Sequence, residues 1–394
     1  MPGYQTEGAG GGAGGAGGKY SALGGPGGAG GGAGGGAGGG AGGGAGGSLM
    51  DGYANPIFVN ALNISREGII NPLDVTATNI PPLPAIGSLD RVDQWEPWAR
   101  SYLAVQELLQ PCTFVPIVNT VVTDGSENGL QLQVGGKPLA TLHRPLSAVF
   151  SNEIPEVLRY AEIREDRSAE ILTQIDSQQA NWSSILQLRP NLTPKTLELL
   201  DISLQFAVFV EMQFKHAFSC WRPVNFSHQV QPMITTPGHG SLPMGHATQA
   251  YLVAYLLDSL TNSAKYSTKA PDPKVTTMLY RQAYRISQNR IVAGVHFPVD
   301  LAAGAALGRA LGEYMVGRDD VLTKTLDKFV VSTSTKAITF SEHVFSSATY
   351  TAGPINLPGF LDKYIGPAWS ATVTEAPVLS AIWYGAAREW SYRR

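Results

Sequence analysis

A lysine and an arginine seven residues apart are the first residues in this chain whose types and spacing could do chemistry. They are Lys215 and Arg222, in the run Lys-His-Ala-Phe-Ser-Cys-Trp-Arg-Pro. In a helix this spacing places both on one face, two turns apart. A basic pair on a helix is ordinarily exposed to solvent, but residues 204–214, just before Lys215, include hardly a polar residue. We therefore expect both charges to emerge from a buried helix, which Pro223 ends, and to face an anion.

A second run, residues 237–246, could supply an anion seat made of backbone. It reads Pro-Gly-His-Gly-Ser-Leu-Pro-Met-Gly-His. A glycine and a proline at a helix start leave free backbone N–H groups at one point, which suits phosphate or another oxyanion. We expect Gly245 to lie at this point and His246 to lie in the first turn of the helix.

A third run, residues 290–300, reads Arg-Ile-Val-Ala-Gly-Val-His-Phe-Pro-Val-Asp. Pro298 predicts a helix start with Asp300 in its first turn, where a carboxylate suits the helix dipole. Asp300 can then accept a hydrogen bond from one ring nitrogen of His296 and leave the other aimed at a metal or an electrophile. A lone histidine is more often an ordinary core or surface residue. The three runs together, which also include Arg290, instead predict a site for a tetrahedral oxyanion, with one histidine as nucleophile or ligand and a second for proton transfer.

The order and spacing of these runs resemble the signature of the type 2 phosphatidic acid phosphatase and vanadium haloperoxidase superfamily. The matching patterns are Lys-x6-Arg-Pro, Pro-x-Gly-His and Arg-x3-Gly-x-His-x3-Asp, and they cover only residues 215–300. The resemblance implies a mainly α fold, a helical bundle in which the three runs meet around vanadate, with phosphate able to compete for the same site. It also implies that Lys215, Arg222 and Arg290 neutralise the equatorial oxygens of the anion, and that Gly245 donates its backbone N–H.

The same resemblance implies the reacting groups. His296 would be the axial ligand to vanadium, His246 would be the acid–base residue on the opposite side, and Asp300 would orient His296. With vanadate and hydrogen peroxide bound, Lys215 would polarise the peroxide, and a halide would be oxidised to hypohalous acid that halogenates an organic acceptor. With a phosphate ester instead, His296 would attack phosphorus while His246 protonates the leaving group.

Three positions bear on which reaction applies. Met244 stands where the superfamily normally carries a serine that bonds an oxyanion oxygen, so we expect one charged hydrogen bond to be lost, worth about 1.5–3 kcal/mol. Met212 stands where the haloperoxidases carry a tryptophan. His239 lies seven residues before His246, as a histidine does in the algal bromoperoxidases, although it is equally a turn residue between two glycines.

The sequence predicts a vanadium-dependent haloperoxidase that oxidises bromide or iodide. His239, the absence of a membrane span and a body much longer than the small acid phosphatases favour it, whereas Met244 and Met212 count against it. A soluble acid phosphatase with a phosphohistidine intermediate is the alternative, and a non-catalytic oxyanion-binding relative is a third hypothesis.

Composition excludes several other classes. Of the 46 glycines in 394 residues, 27 lie before Ser48, so we interpret residues 1–48 as a disordered Gly/Ala-rich tail and residues 49–394 as one helical domain. Two cysteines, Cys112 and Cys220, cannot support a disulfide scaffold. A net charge of −3 argues against a nucleic-acid partner.

The sequence also bears on membrane association and on the cellular compartment. No run offers the roughly 18 uninterrupted apolar residues that a span needs, and the first thirty residues lack a signal-peptide pattern, so we expect a soluble, cytoplasmic protein. Charged residues make up only 15% of the chain, which predicts buried subunit surface and a homo-oligomer.

Hydrophobic periodicity, proline and glycine positions predict the elements that must hold the site. The predicted helices cover residues 94–109, 155–186, 194–214, 247–260, 274–289, 298–316 and 378–391. Short β-branched runs in residues 115–142, separated by Asp-Gly, Asn-Gly and Gly-Gly pairs, predict one small hairpin. Residues 50–90, rich in Asn, Pro and Gly, are expected to wrap irregularly over the core.

Overall fold

The computed structural model describes residues 56–70, 82–84, 88–89, 91–118, 128–175, 178–262, 270–318, 335–347, 349–350, 356 and 358–391. The predicted tail, residues 1–48, lies outside these ranges, and so does the Asp-Gly pair at residues 124–125.

Helices dominate the described residues, and the expected mainly α class is confirmed. In chain order they are α1 Pro56–Ile69, α2 Pro97–Leu109, α3 Ser147–Tyr160, α4 Arg164–Thr173, α5 Gln179–Leu186, α6 Pro194–Phe218, α7 Pro223–Phe226, α8 Gly245–Asn262, α9 Pro273–Val292, α10 Pro298–Arg318 and α11 Pro377–Ser391. Short 3-10 turns are Val92–Gln94, Ala161–Ile163, His228–Val230 and Pro358–Tyr364. None of these helices combines the length and apolarity that crossing a membrane requires.

Two predictions along the helical part are wrong. The single helix expected over residues 155–186 is three helices, α3 to α5, interrupted by the turn at Ala161–Ile163 and again after Thr173. Apolar periodicity continues through both interruptions, so the pattern alone hides them. The irregular stretch expected over residues 50–90 contains α1, whose large apolar side chains Ile57, Leu62 and Ile64 are exposed.

The sheet is larger than the predicted hairpin. Its five strands are β1 Cys112–Ile117, β2 Gly129–Val134, β3 Lys137–His143, β4 Thr335–Phe345 and β5 Ile365–Thr374, and they lie in that order across the sheet. Neighbours are antiparallel except β3 and β4, which pair in parallel with Ala140 opposite His343. The Gly135-Gly136 turn between β2 and β3 is confirmed. β4 and β5 were missed because some 200 residues separate them from the hairpin they extend.

The four helices that position the site share one core. α8 packs against α6, α9 and α10, and α10 also packs against β4. α6 is buried along most of its length because residues 197–210 contain few polar side chains. Thr193 precedes α6 as predicted, but its hydroxyl bonds to the backbone of Arg189 and does not cap the helix.

Glycines on α10 let it approach α8 closely. A Cβ at Gly304 would lie 2.5 Å from the carbonyl oxygen of Met244, and a Cβ at Gly308 would overlap that of Thr248. These contacts fix the start of α10, which carries Asp300, against the start of α8. The positions of the second and third sequence runs therefore depend on small residues at this helix crossing.

Replacing Gly308 by alanine should lower the free energy of unfolding by about 1–3 kcal/mol, because the added methyl group must push two packed helices apart. Gly317→Ala is the matched control on the same helix, since its Cβ would meet nothing closer than 3.7 Å. That control should change stability by less than about 0.5 kcal/mol. Chemical denaturation of both variants measures the difference, and equal effects would show that α10 does not need a glycine at the crossing.

Candidate functional site

The three sequence runs meet at one cavity. Its volume is about 50 Å³, enough for a small ion. The lining residues are Ile175, Glu211, Lys215, Arg222, Ile234, Thr235, Pro237, His239, Gly245, His246, Gln249, Arg290, Val295 and His296. The structure thus brings together all five of the cationic and histidine side chains that were predicted to surround an anion, together with Gly245.

Lys215 lies on the last turn of α6 and is almost fully buried. Its ammonium group donates hydrogen bonds to the carbonyl oxygens of Gly240, Ser241 and Pro243, at 3.3, 3.2 and 2.6 Å. These bonds tie the first sequence run to the second. Burial lowers the pKa of Lys215, and the charge of Arg222 lowers it further.

Arg222 reaches the cavity by a different route from the one predicted. α6 ends at Phe218, and Ser219 takes a left-handed conformation with φ of 47°, so Lys215 and Arg222 do not share a helix face. Pro223 does not end that helix but begins α7. The turn after Phe218 redirects the chain, and Arg222 enters the cavity from outside the helix.

The Arg222 guanidinium is held on several sides. Nη1 donates to the carbonyl oxygen of Val295 and lies 2.8 Å from Nε2 of His296, while Nη2 lies 3.1 Å from Nδ1 of His239. Nε and Nη2 donate to the His239 carbonyl oxygen, and Nη2 also donates to that of Gly240. Burial lowers the pKa of Arg222 to about 10.

Arg290, on the last turn of α9, differs from the other two cations. Its Nη2 donates to the carbonyl oxygen of Ile171 at 2.9 Å and lies 3.4 Å from Oε1 of Gln174. Its Nε and Nη1 are buried and have no hydrogen-bond partner in the part of the chain that the structure describes. Burial lowers the pKa of Arg290 to about 10. Because buried N–H groups are almost always paired in folded proteins, two open donors on a buried cation point to an anionic ligand.

His296 and Asp300 adopt the predicted arrangement. Nδ1 of His296 lies 3.0 Å from Oδ2 of Asp300, which also accepts the backbone N–H of Phe297 at 3.0 Å. Oδ1 accepts the hydroxyl of Ser241 at 3.3 Å. With the Nδ1 proton directed at the carboxylate, the Nε2 lone pair accepts the Nη1 proton of Arg222 at 2.8 Å. Burial lowers the pKa of His296 well below its usual value, and the nearby charges of Arg222 and Lys215 lower it further.

The turn between α9 and His296 depends on Gly294, which has φ of 81°. A Cβ there would lie 2.6 Å from the guanidinium of Arg164. Arg164 donates to the carbonyl oxygens of Val292, Gln231 and Val230 and so fastens this turn from α4. The glycine in Arg-x3-Gly-x-His therefore serves a tight turn beneath the histidine.

His246 lies in the first turn of α8, as predicted. Its Nε2 donates to the backbone carbonyl of Gln174 at 2.9 Å, which leaves Nδ1 as an acceptor. Burial lowers the pKa of His246 to about 3, and the charge of Arg290 contributes. Gly245, the first residue of α8, has a backbone N–H with no acceptor inside the helix.

The three positions that bear on which reaction applies, His239, Met244 and Met212, do not lie together in the structure. His239 lines the cavity, and burial lowers its pKa to about 4. Met244 is fully buried, its N–H bonds to the carbonyl oxygen of Asp300, and its side chain is not among those that line the cavity. Met212, half-buried on α6, does not line the cavity either.

Sequence reasoning missed three polar residues at the site. Glu211 and Gln249 line the cavity, and Gln174 holds both His246 and Arg290. Glu211 left a signal, because it is a charge one turn before Lys215 in a helix that is otherwise apolar there. Gln174 left none, since the predicted continuous helix concealed the break that exposes its carbonyl group.

Comparison with protein families agrees with this geometry. Residues 199–317 match the model of the PAP2 superfamily, so the chain contains a PAP2 superfamily domain. The match runs from α6 to the end of α10 and includes all three sequence runs. The superfamily includes phosphatases and haloperoxidases. A search of curated proteins finds no match to this chain.

Replacing His246 by glutamine should relieve an acid-dependent instability. Below about pH 6 the unfolded chain protonates this histidine whereas the folded protein does not, so folding loses stability as pH falls, by up to about 1.4 kcal/mol per pH unit. The difference in unfolding free energy between wild type and His246→Gln should follow this slope in denaturation curves between about pH 6 and about pH 4. A pH-independent difference would mean that His246 protonates in the folded protein as freely as in the unfolded chain.

Proposed function

We propose that this chain is a vanadate-dependent haloperoxidase that oxidises bromide or iodide with hydrogen peroxide to hypohalous acid. The observation that carries the proposal is Arg290, which lines the cavity together with Lys215 and Arg222 and whose buried Nε and Nη1 have no hydrogen-bond partner among the described residues. Three buried cations need a partner of opposite charge, and a tetrahedral oxyanion offers enough acceptor oxygens.

The residues at the cavity fit vanadate. Arg290 would donate from Nε and Nη1, and Gly245 would donate its backbone N–H. His296 would bind vanadium through Nε2, the nitrogen that Asp300 leaves unprotonated. Nη1 of Arg222, which donates to this nitrogen, would turn to an oxygen of the anion. Bound vanadate would supply a Lewis acid that activates hydrogen peroxide without a change of oxidation state.

Proton transfer falls to His246. Its Nε2–H is engaged by the backbone of Gln174, so its Nδ1 is the nitrogen able to take and return a proton at the cavity. A bound anion would raise the pKa of His246, because it compensates the positive charge of Arg290 that lowers it. Lys215, fixed by three carbonyl groups, would add a positive charge at a constant position.

A soluble acid phosphatase is the second candidate, and one observation favours it. His296 is a neutral imidazole aligned by a buried carboxylate, which is also how a nucleophilic histidine is prepared to attack phosphorus.

Incubation of the purified protein with orthovanadate should produce bromination of monochlorodimedone when peroxide and bromide are added, and phosphate should inhibit it. Halogenation is followed by absorbance, with vanadate-free protein as the control. Hydrolysis of p-nitrophenyl phosphate without halogenation would replace the haloperoxidase with the phosphatase. Vanadate binding with neither reaction would identify a non-catalytic oxyanion-binding relative.

Arg290→Gln should weaken phosphate binding by roughly tenfold to a hundredfold, because it removes two charge-assisted donors. The anion-free variant should unfold at nearly the wild-type temperature, since it no longer buries a charge without an acceptor. Arg285→Gln is the matched control, because Arg285 lies on the same helix but pairs with Glu170 away from the cavity. Calorimetric titration with inorganic phosphate measures both variants. Equal affinities would remove the central support for an oxyanion site.

A further inference from the structure

Glu211 is the one side chain at the cavity whose presence an anion site does not explain. It lies on α6 one turn before Lys215, is fully buried, and is the acidic member of the lining set among the described residues. An ionised carboxylate at this place would repel the anion that three cations attract. The protonation state of Glu211 therefore decides whether it opposes or assists binding.

The carboxyl group of Glu211 lies against the start of α8. Its Oε1 accepts a hydrogen bond from Nε2 of Gln249 at 3.2 Å, while its Oε2 is buried and has no partner among the residues described. A Cβ added to Gly245 would lie 2.8 Å from Oε1 and 3.3 Å from Oε2. The open oxygen of Glu211 is thus next to the residue whose N–H is expected to bind the anion.

Lys215 does not neutralise Glu211 by direct contact. Its ammonium protons are directed at three backbone carbonyl groups, and among the described residues no ion pair joins it to Glu211. Burial raises the pKa of Glu211, and the charge of Lys215 opposes this only in part. From α8 the carboxyl faces the uncharged Gln249 and the backbone at Gly245, so protonation relieves a buried, unpaired charge.

A protonated carboxyl is a hydrogen-bond donor, and this site lacks the side-chain donor that the family resemblance leads us to expect. The family resemblance places a serine hydroxyl at position 244, where this chain has Met244, which cannot donate and is packed away from the cavity. Glu211 approaches the same helix start from α6. A carboxylic acid offers one O–H and can satisfy one oxyanion oxygen, as the hydroxyl would.

We propose that Glu211 is a further anion-binding residue, whose protonated carboxyl donates an O–H from Oε2 to an oxygen of a bound tetrahedral oxyanion and so replaces the donor absent at Met244. The proposal rests on the oxyanion site of the proposed function. In this arrangement the protein binds the anion more tightly when Glu211 is protonated. When Glu211 ionises, the same group withdraws its donor and places a negative charge beside the anion.

Proton linkage follows directly from this geometry. An anion that accepts the O–H stabilises the protonated form, so binding raises the pKa of Glu211. Where free Glu211 is ionised, binding must therefore take up a proton, and affinity must fall as pH rises. A bound anion also raises the pKa of the three histidines at the cavity. Their contribution to the pH dependence of affinity should be the same in wild type and in variants that change only position 211.

Calorimetric titration of the full chain with sulfate tests the proposal at about pH 6 and about pH 8, because sulfate remains a dianion throughout this range. Three variants are compared with wild type. Glu211→Gln keeps a donor that cannot ionise, Glu211→Met keeps the approximate shape without a donor, and Asp201→Asn is the matched control. Asp201 is another buried carboxyl of α6 with a raised pKa, but it lies outside the cavity.

At about pH 6, Glu211→Gln should bind sulfate within about threefold of wild type, and Glu211→Met should bind it roughly tenfold more weakly. Between about pH 6 and about pH 8, wild type and Asp201→Asn should lose roughly tenfold more affinity than Glu211→Gln. Titrations in two buffers of different ionisation enthalpy should show correspondingly less proton uptake by Glu211→Gln than by wild type at the higher pH.

Two results would overturn the donor role while leaving the oxyanion site intact. One is Glu211→Met binding sulfate as tightly as wild type at about pH 6, and the other is the same pH dependence in Glu211→Gln as in wild type. If wild type binds neither sulfate nor phosphate, the oxyanion site itself is wrong, and the proposed function falls together with this inference. Melting temperatures of the anion-free variants show whether each one is folded.

Discussion

The structure depends on the burial of three positive charges at one point. Lys215, Arg222 and Arg290 are each almost completely removed from water, and burial lowers the pKa of each. A buried charge is unfavourable unless it is paired and hydrogen-bonded, so the surrounding chain must compensate for all three. The fold does this with backbone carbonyl groups, which offer partial negative charge without occupying the cavity.

These carbonyl groups come from every part of the domain that surrounds the site. The loop before α8 supplies those that hold Lys215, the turn after α9 supplies one for Arg222, and α4 supplies one for Arg290. The cavity can form only when these segments have docked. Of these three cations, Arg290 alone keeps donors without a partner among the described residues, and it lines the cavity where a ligand would bind.

The sequence predicted those parts of this arrangement that depend on residues close together in the chain. Proline positions and apolar periodicity are local, and they located the starts of α6, α8, α9 and α10 to within a few residues. Spacing within the third run predicted the His296–Asp300 contact, because four residues at a helix start place the two side chains together. The left-handed residue Ser219 carried no such signal, so the Lys215–Arg222 spacing suggested a shared helix face that does not exist.

The contacts that the sequence could not predict are those between distant segments. Gln174 reaches His246 across 72 positions, and β4 joins β3 across some 200. Neither partner shows a local pattern that names the other. Glu211 is intermediate: its position in an apolar helix marks it as unusual, but only the packing of α8 against α6 shows that its free oxygen lies beside Gly245.

Two buried carboxyl groups flank the cavity, and their surroundings give them opposite properties. Burial raises the pKa of both, to about 6 for Asp300, but Asp300 accepts from the Phe297 backbone, the Ser241 hydroxyl and the ring of His296. These donors favour its charged form, which fixes the tautomer of His296, while burial and the nearby cations keep that ring neutral. Glu211 has one amide donor and an open oxygen, so its neutral form is favoured. Asp300 can therefore be a carboxylate that aligns His296 at the same pH at which Glu211 is a carboxylic acid that can donate. The difference arises because the protein surrounds Asp300, and not Glu211, with several hydrogen-bond donors.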